Sequence, residues 1–145
     1  MHIEKVSELT EEIYSAIQLL VPQLGAHKAK PTWDELNALI RSEASTLLIA
    51  RYPDATSQIA GILSLTIYRV PTGMRSFVED VIVDEKMRRR GIAEGLMRYA
   101  IELAREAGAN GVALTSNPKR EAANKLYQAM GFQKRETNAY FYKLG

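Results

Sequence analysis

Three features of the 145-residue chain predict an α+β fold of the α/β class, a central mixed and mostly antiparallel sheet flanked by helices. The β-rich runs TLLIARY and QIAGILSLTIYRV are separated by the turn residues PDATS, which pairs them antiparallel. A third run, RSFVEDVIV, precedes a long helical pattern and then the short apolar run GVALTS; strand, helix, strand is a βαβ unit with parallel strands and a right-handed crossover. With 46% hydrophobic residues the chain suffices for one core, and its length suits a single domain over residues 1–145.

The elements follow in order. Leu9, Ile13, Ile17, Leu20 and Leu24 recur at helical spacing over residues 8–24, and the stripe stops near Gly25. After GAHKAKP, Thr32 is an N-cap with Glu35 three residues on, and Leu36, Leu39 and Ile40 continue a second helix. Strands are expected at residues 46–52, 58–70 and 75–83, the last two joined through PTGM. From Ile92, the residues Leu96, Tyr99, Ala100, Leu103 and Ala107 repeat at helical spacing, and Gly108 is the expected C-cap. GVALTS is a short buried strand, residues 120–130 form a last helix closed by Gly131, and FQKRE with NAYFYKL forms a final strand pair.

Composition excludes several classes of function. Nineteen Lys and Arg against 17 Asp and Glu leave a net charge of +2, too mild for a nucleic-acid surface. With no cysteine there is no disulfide framework, thiolate metal site or cysteine nucleophile, which suits a reducing cytoplasm. The N-terminus MHIEKVSELTEE has no apolar leader, and no run approaches the roughly 18 apolar residues of a membrane span. A soluble cytoplasmic protein without a membrane partner is expected. His2 and His27 show no metal-ligand spacing, and no metal is required.

One stretch runs against ordinary helix chemistry. RRRGIAEGLM places Arg88, Arg89 and Arg90 where the longest helical pattern begins, although a helix N-terminus already carries partial positive charge. Gly91 and Ala93 leave room for a bulky anion to reach the free N–H groups, and the guanidinium groups surround that gap. A diphosphate held by amides, dipole and arginine forks would account for the pattern. There is no GxxxxGK[ST], and GIAEG lacks the three glycines of a dinucleotide fingerprint. The competing reading is a solvated arginine cluster.

Two segments make the chain similar to the GNAT superfamily of N-acetyltransferases. RRRGIA matches that family's [QR]-x-x-G-x-[GA] loop at Arg88, Gly91 and Ala93. NPKREAANKLYQAMGF matches its second signature at Asn117, Asn124, Leu126, Tyr127, Gly131 and Phe132. The resemblance is close over residues 77–132 and a matter of element order before that. It implies acetyl-CoA as cosubstrate. Pantetheine would lie along the main chain of Val81, Ile82 and Val83, in the manner of an added strand. The pyrophosphate would meet the loop Arg88, Arg89, Arg90, Gly91, Ile92, Ala93 and Glu94, and Asn117 and Asn124 would contact the pantetheine arm. It also implies transfer to an amine, with a base to remove the amine proton, a backbone N–H near Val81 for the developing oxyanion, and an acid for the departing thiolate. Glu79 is the expected base, with Asp80 or a water relay as alternatives; strand alternation lets only one of the two carboxylates face the acyl group. Tyr127 is the expected acid. Each has a structural alternative: a Glu79–Arg75 surface pair, a core tyrosine, Asn117 as a turn former and Asn124 as a solvated helix residue.

The acceptor is left open among small-molecule amines and protein amines, with a small molecule favoured because no acidic groove for a basic peptide is evident. A non-catalytic coenzyme A-binding module is the alternative from another class, and a nucleic-acid partner is not expected. Pairing into a homodimer is an expectation from frequency alone.

Overall fold

The computed structural model describes residues 1–145, which divide into two compact units, Met1–Thr115 and Ser116–Gly145. The first contains β1 (His2–Lys5), α1 (Glu11–Leu20), α2 (Trp33–Arg41), β2 (Ser45–Arg51), β3 (Ile59–Val70), β4 (Gly73–Val83) and α3 (Ile92–Glu106). The second contains α4 (Glu121–Ala129).

The four strands form one antiparallel sheet in the order β1-β2-β3-β4. Alternation along the strands gives the sheet two apolar faces. Leu47, Ile49, Ile62 and Ile82 join Leu9, Ile13, Ile17 and Leu20 before and within α1 and Leu36 of α2 in one core cluster. On the opposite face Gly61 lies under α3: a Cβ there would stand 3.2 and 3.3 Å from the side chains of Ile92 and Leu96 and 3.0 Å from the Ile82 carbonyl oxygen. Glycine lets α3 approach β3 this closely, and an added Cβ would require its neighbours to give by a few tenths of an ångström. Leu48, Leu63, Leu65, Leu96 and Met97 are almost wholly excluded from water, each contributing about 1.5–3 kcal/mol of transfer free energy.

Local chemistry sets the helix ends. Thr10 Oγ1 accepts from the Ile13 N–H (3.2 Å), so α1 starts there rather than at residue 8. It ends before Pro22, where Val21–Gln23 tightens into a 3₁₀ turn: Val21 keeps α-helical angles and still donates to Ile17 O, but Pro22 has no N–H with which to continue the ladder. Thr32 and Glu35 form the expected capping box, with N···O distances of 2.9 and 3.1 Å. The third helix and the last one fall within a residue or two of expectation.

One element was not expected, and two expectations need correction. The N-terminal residues His2–Lys5 are a strand, antiparallel to β2, although HIEK offers only one apolar side chain; this edge strand is held by its ladder rather than by hydrophobic patterning. GVALTS is not a full strand. It contributes one parallel bridge, Phe77 to Ala113, closed by Val78 N–H to Ala113 O (2.9 Å) and Ala113 N–H to Ser76 O (3.1 Å). The sheet is therefore antiparallel apart from that rung, and the parallel side of the expected βαβ unit is reduced to a single bridge. The final strand pair does not form: residues 133–145 carry neither helix nor strand, and Tyr140, Phe141, Tyr142 and Leu144 are 88–90% exposed. A two-stranded ribbon is marginal in water, and FQKRE supplies only Phe132 as an apolar anchor.

Candidate functional site

β4 carries the first part of the site. Its register against β3 changes between Ile62, which faces Ile82, and Ser64, which faces Glu79. β3 advances by two residues where β4 advances by three, so Asp80 and Val81 share the single partner Leu63, a β-bulge. Asp80 adopts φ 51°, the left-handed conformation that costs most L-residues about 1–2 kcal/mol and that Asp tolerates better than most.

The bulge resolves a conflict in the sequence. On a regular strand Val78, Asp80 and Ile82 would share one face, which would drive a carboxylate between two buried side chains. With the extra residue, Ile82 joins the α1/α2 core while Val78 pairs with Leu65 on the other side. Both Glu79 and Asp80 stay exposed. Simple alternation therefore does not hold across Glu79 and Asp80, and both are open to solvent. Glu79 is not paired with Arg75, whose Nη2 instead donates to Thr72 Oγ1 (2.8 Å).

Ile82 is 3% exposed and belongs to the core, while Val81 and Val83 are half-buried. β4 is an edge strand of the four-stranded sheet. Beyond the Phe77–Ala113 bridge its outer edge carries no further strand of the unit Met1–Thr115, which is the condition for adding an extended group there.

The loop that follows is bent by two left-handed residues, Arg89 at φ 64° and Gly91 at φ 76°. Gly91 is the N-cap of α3 and has no side chain to accept from the first-turn amides. The N–H groups of Ile92, Ala93 and Glu94 thus meet the end of the helix dipole without a side-chain acceptor at the cap. A Cβ built on Gly91 would meet nothing within 4 Å, so the space over these donors is open. The Ile92 side chain is 2% exposed and belongs to the core, leaving its backbone for recognition. Glu94 pairs with Arg98 one turn on (3.0 Å).

Arg88, Arg89 and Arg90 are all exposed, and within their unit none pairs with a carboxylate. The Arg90 guanidinium carbon lies 5.8 Å from the ring centroid of Tyr52, a cation–π contact that orients one fork. Neither Tyr52 nor the left-handed Arg89 was legible beforehand: one comes from a distant turn, and an arginine at positive φ has no sequence signature. A groove along the outer face of α3, lined by Gly95, Tyr99 and Leu103 with charged neighbours, includes none of the expected site residues.

In the unit Ser116–Gly145, Asn117 Oδ1 accepts from the Lys119 N–H (2.9 Å), the hydrogen bond of an Asx turn. Asn124 Nδ2 donates to Asn117 O (3.0 Å) and Arg120 O (2.9 Å), tying the loop to α4. The two asparagines are therefore brought together, and their amide groups hold the turn; Asn124 Oδ1 stays out of these bonds. Tyr127 is 7% exposed and packs edge-on against Phe132, with centroids 5.9 Å apart. Burial pushes its phenol above the ordinary value of 10.0, with the Arg120 charge pulling weakly the other way. It is a neutral hydroxyl at every physiological pH, the form from which a proton is donated.

The observed residues fit a coenzyme A diphosphate: amide donors at an uncapped helix, open volume above a glycine and three unneutralised guanidinium groups. A family model described as the acetyltransferase (GNAT) family matches residues 7–132. The chain is 33% identical over 90 residues to N-acetyltransferase family 8 member 2 of Rattus norvegicus, covering 61% of this chain and 39% of that protein. It is 29% identical over 126 residues to the rat family 8 member 3, covering 79% and 54%. The chain thus spans about half or less of the length of these curated relatives. Among solved structures, an aminoglycoside acetyltransferase from an uncultured soil metagenomic sample, in complex with trehalose, superposes with a TM-score of 0.81 at 19% identity, over 99% of this chain and 96% of that one. No helix here is long and apolar enough to cross a membrane.

Proposed function

The chain belongs to the GNAT acetyltransferase family, and on that premise we propose that it transfers the acetyl group of acetyl-CoA to a primary amine of a small molecule. The observation that carries this reading is the loop at residues 88–93, where a left-handed backbone, uncapped amides and open space above Gly91 coincide with three exposed arginines that pair with no carboxylate of their unit. The amides of Ile92 and Ala93 and the forks of Arg88 and Arg90 hold the diphosphate, and the main chain of Val81, Ile82 and Val83 holds pantetheine. Asn117 and Asn124 contact the pantetheine arm through groups their turn leaves over. Bound acetyl-CoA supplies an activated thioester carbonyl.

The remaining chemistry falls to side chains and one amide. A primary amine with a pKa near 10.4 is mostly ammonium at neutral pH, so Glu79 takes one proton, directly or through water, freeing the nitrogen lone pair to bond to the carbonyl carbon; the nitrogen's second proton passes to water as the intermediate collapses to the amide. The bulge at Asp80 and Val81 turns a backbone N–H out of the ladder, a donor for the oxygen that becomes anionic. Tyr127 gives its proton to the sulfur as the carbon–sulfur bond breaks, and regains one from solvent. The small-molecule acceptor is supported by the absence of an acidic groove in the sequence and by a structural relative named for aminoglycosides.

Thiol release from acetyl-CoA across a panel of small amines and amine-bearing peptides tests the reading, run on the wild type and on the Arg88→Ala, Arg90→Ala double variant. Release with small amines is expected. The variant should raise the acetyl-CoA dissociation constant about ten- to hundredfold, from the loss of charge-assisted hydrogen bonds at an exposed site. Tight binding without release would make this a non-catalytic coenzyme A module, and release confined to peptides would make the acceptor a protein amine.

A further inference from the structure

The sheet face beneath α1 and α2 changes character at the bulge. Ile62 belongs to the core, but the next positions on the same face of β3 are Ser64 and Thr66, followed by the exposed Tyr68. On the opposite face the corresponding residues Leu63 and Leu65 are wholly buried. Ser64 lies directly across from Glu79, and Thr66 across from Phe77 on β4 and from Ser45 on β2. Cross-strand partners stand about 5 Å apart at Cβ, and successive positions on one face about 7 Å apart, so two hydroxyls lie within one small molecule's reach of Glu79. Ser64 and Thr66 are half-buried, and within the unit Met1–Thr115 no hydrogen bond engages either hydroxyl. The adjacent carboxylates of Glu79 and Asp80 are exposed and, within the same unit, unpaired with any cation.

From this juxtaposition we propose that Ser64 and Thr66 determine acceptor specificity, and that the acceptor is a hydroxylated primary amine whose ammonium group faces Glu79 and whose nearby hydroxyls bond to these two side chains. This rests on the acetyltransferase reading and narrows it. The carboxylates complement the ammonium charge. The paired hydroxyls, each donor and acceptor, match an alcohol better than they match an alkyl chain, which would leave both half-buried groups without partners. Thr66 also offers its methyl group to the carbon skeleton between the polar atoms.

The test compares 3-amino-1,2-propanediol with propylamine as acceptors at saturating acetyl-CoA. The wild type is expected to favour the diol amine by about tenfold or more in kcat/KM, the worth of one or two hydrogen bonds. In Ser64→Ala and in Thr66→Val that ratio should fall toward one, with the KM for acetyl-CoA unmoved and circular dichroism showing a folded protein. Should Thr66→Val fail to fold, Ser64→Ala alone decides the matter, because its loss of one oxygen leaves the backbone and packing nearly intact. Equal efficiency with the two amines, or a ratio that survives both substitutions, would overturn the specificity assignment while leaving the acetyltransferase reading in place. Absence of thiol release with either amine, in a protein that takes up no acetyl-CoA, would remove both.

Discussion

Replacing Gly91 separates a conformational cost from a ligand cost at one position. The residue sits at φ 76°, and a Cβ added there meets nothing within 4 Å, so in the free protein Gly91→Ala incurs backbone strain and no steric clash. Strain of that kind is worth about 1–2 kcal/mol for alanine, offset by a few tenths because alanine is less floppy when unfolded. With an unfolding entropy of about 2.1 cal/mol/K per residue, a 145-residue protein should lose about 2–6 °C in Tm. Gly91→Asn makes the comparison, since asparagine tolerates the left-handed conformation and should lose roughly half as much or less. Both side chains occupy the space assigned to the diphosphate, so both should weaken acetyl-CoA binding at least tenfold, asparagine no less than alanine. Differential scanning calorimetry and isothermal titration of acetyl-CoA read the two quantities independently. Equal destabilisation by alanine and asparagine would refute the argument about the cap conformation. Unchanged affinity in both variants would refute the placement of the diphosphate.

The catalytic assignments predict different pH behaviour. Tyr127→Phe should lower kcat by about a hundredfold, the usual worth of a general acid, with little change in acetyl-CoA affinity; a wild-type rate would remove the phenol from the mechanism. Because burial raises the Tyr127 pKa, any alkaline fall in rate that this phenol causes must lie above pH 10, and a fall centred near neutrality would belong to another group. The same shift makes the folded state hold its proton more tightly than the unfolded chain, so this contribution to stability is complete below about pH 10 and is lost as pH rises through the higher folded value. Glu79→Gln should cost about a hundredfold at pH 7, and the deficit should shrink as pH rises toward the amine pKa near 10.4 and the neutral amine grows from a trace to a sizeable fraction; a constant deficit across that range would argue against a base. Thr32→Ala breaks the capping box of α2 and should destabilise by about 1 kcal/mol in denaturant unfolding, without affecting acetyl-CoA binding. A loss of binding there would mean that α2 contributes to the cofactor site.

The sequence made the frame of the fold legible wherever periodicity and punctuation agreed. Thr32 and Glu35, Gly91 and Gly108, and the β-rich run at residues 58–70 between turn residues each belong to a local rule, and the structure follows them. Elements held by ladders alone escaped that reading. His2–Lys5 has almost no apolar pattern, and the only parallel rung, at Ala113, depends on β4 being in place first. The tail failed in the opposite sense: NAYFYKL has strong strand propensity, but propensity forms no sheet without a partner edge. The site divides along the same line. The arginine loop stood out because it violates the helix-dipole rule, whereas the bulge is a backbone event whose only trace was an acidic residue between Val78 and Ile82. That trace, a charge at a position alternation would bury, was the available signal.

The central claim is that the turn into α3 binds the diphosphate of acetyl-CoA, and backbone amide resonances observed during titration with acetyl-CoA test it most directly. The account predicts saturable shifts that are largest at Gly91, Ile92 and Ala93, and that disappear in the Arg88→Ala, Arg90→Ala variant at the same ligand concentration. Saturable binding that leaves those three amides unmoved would contradict it.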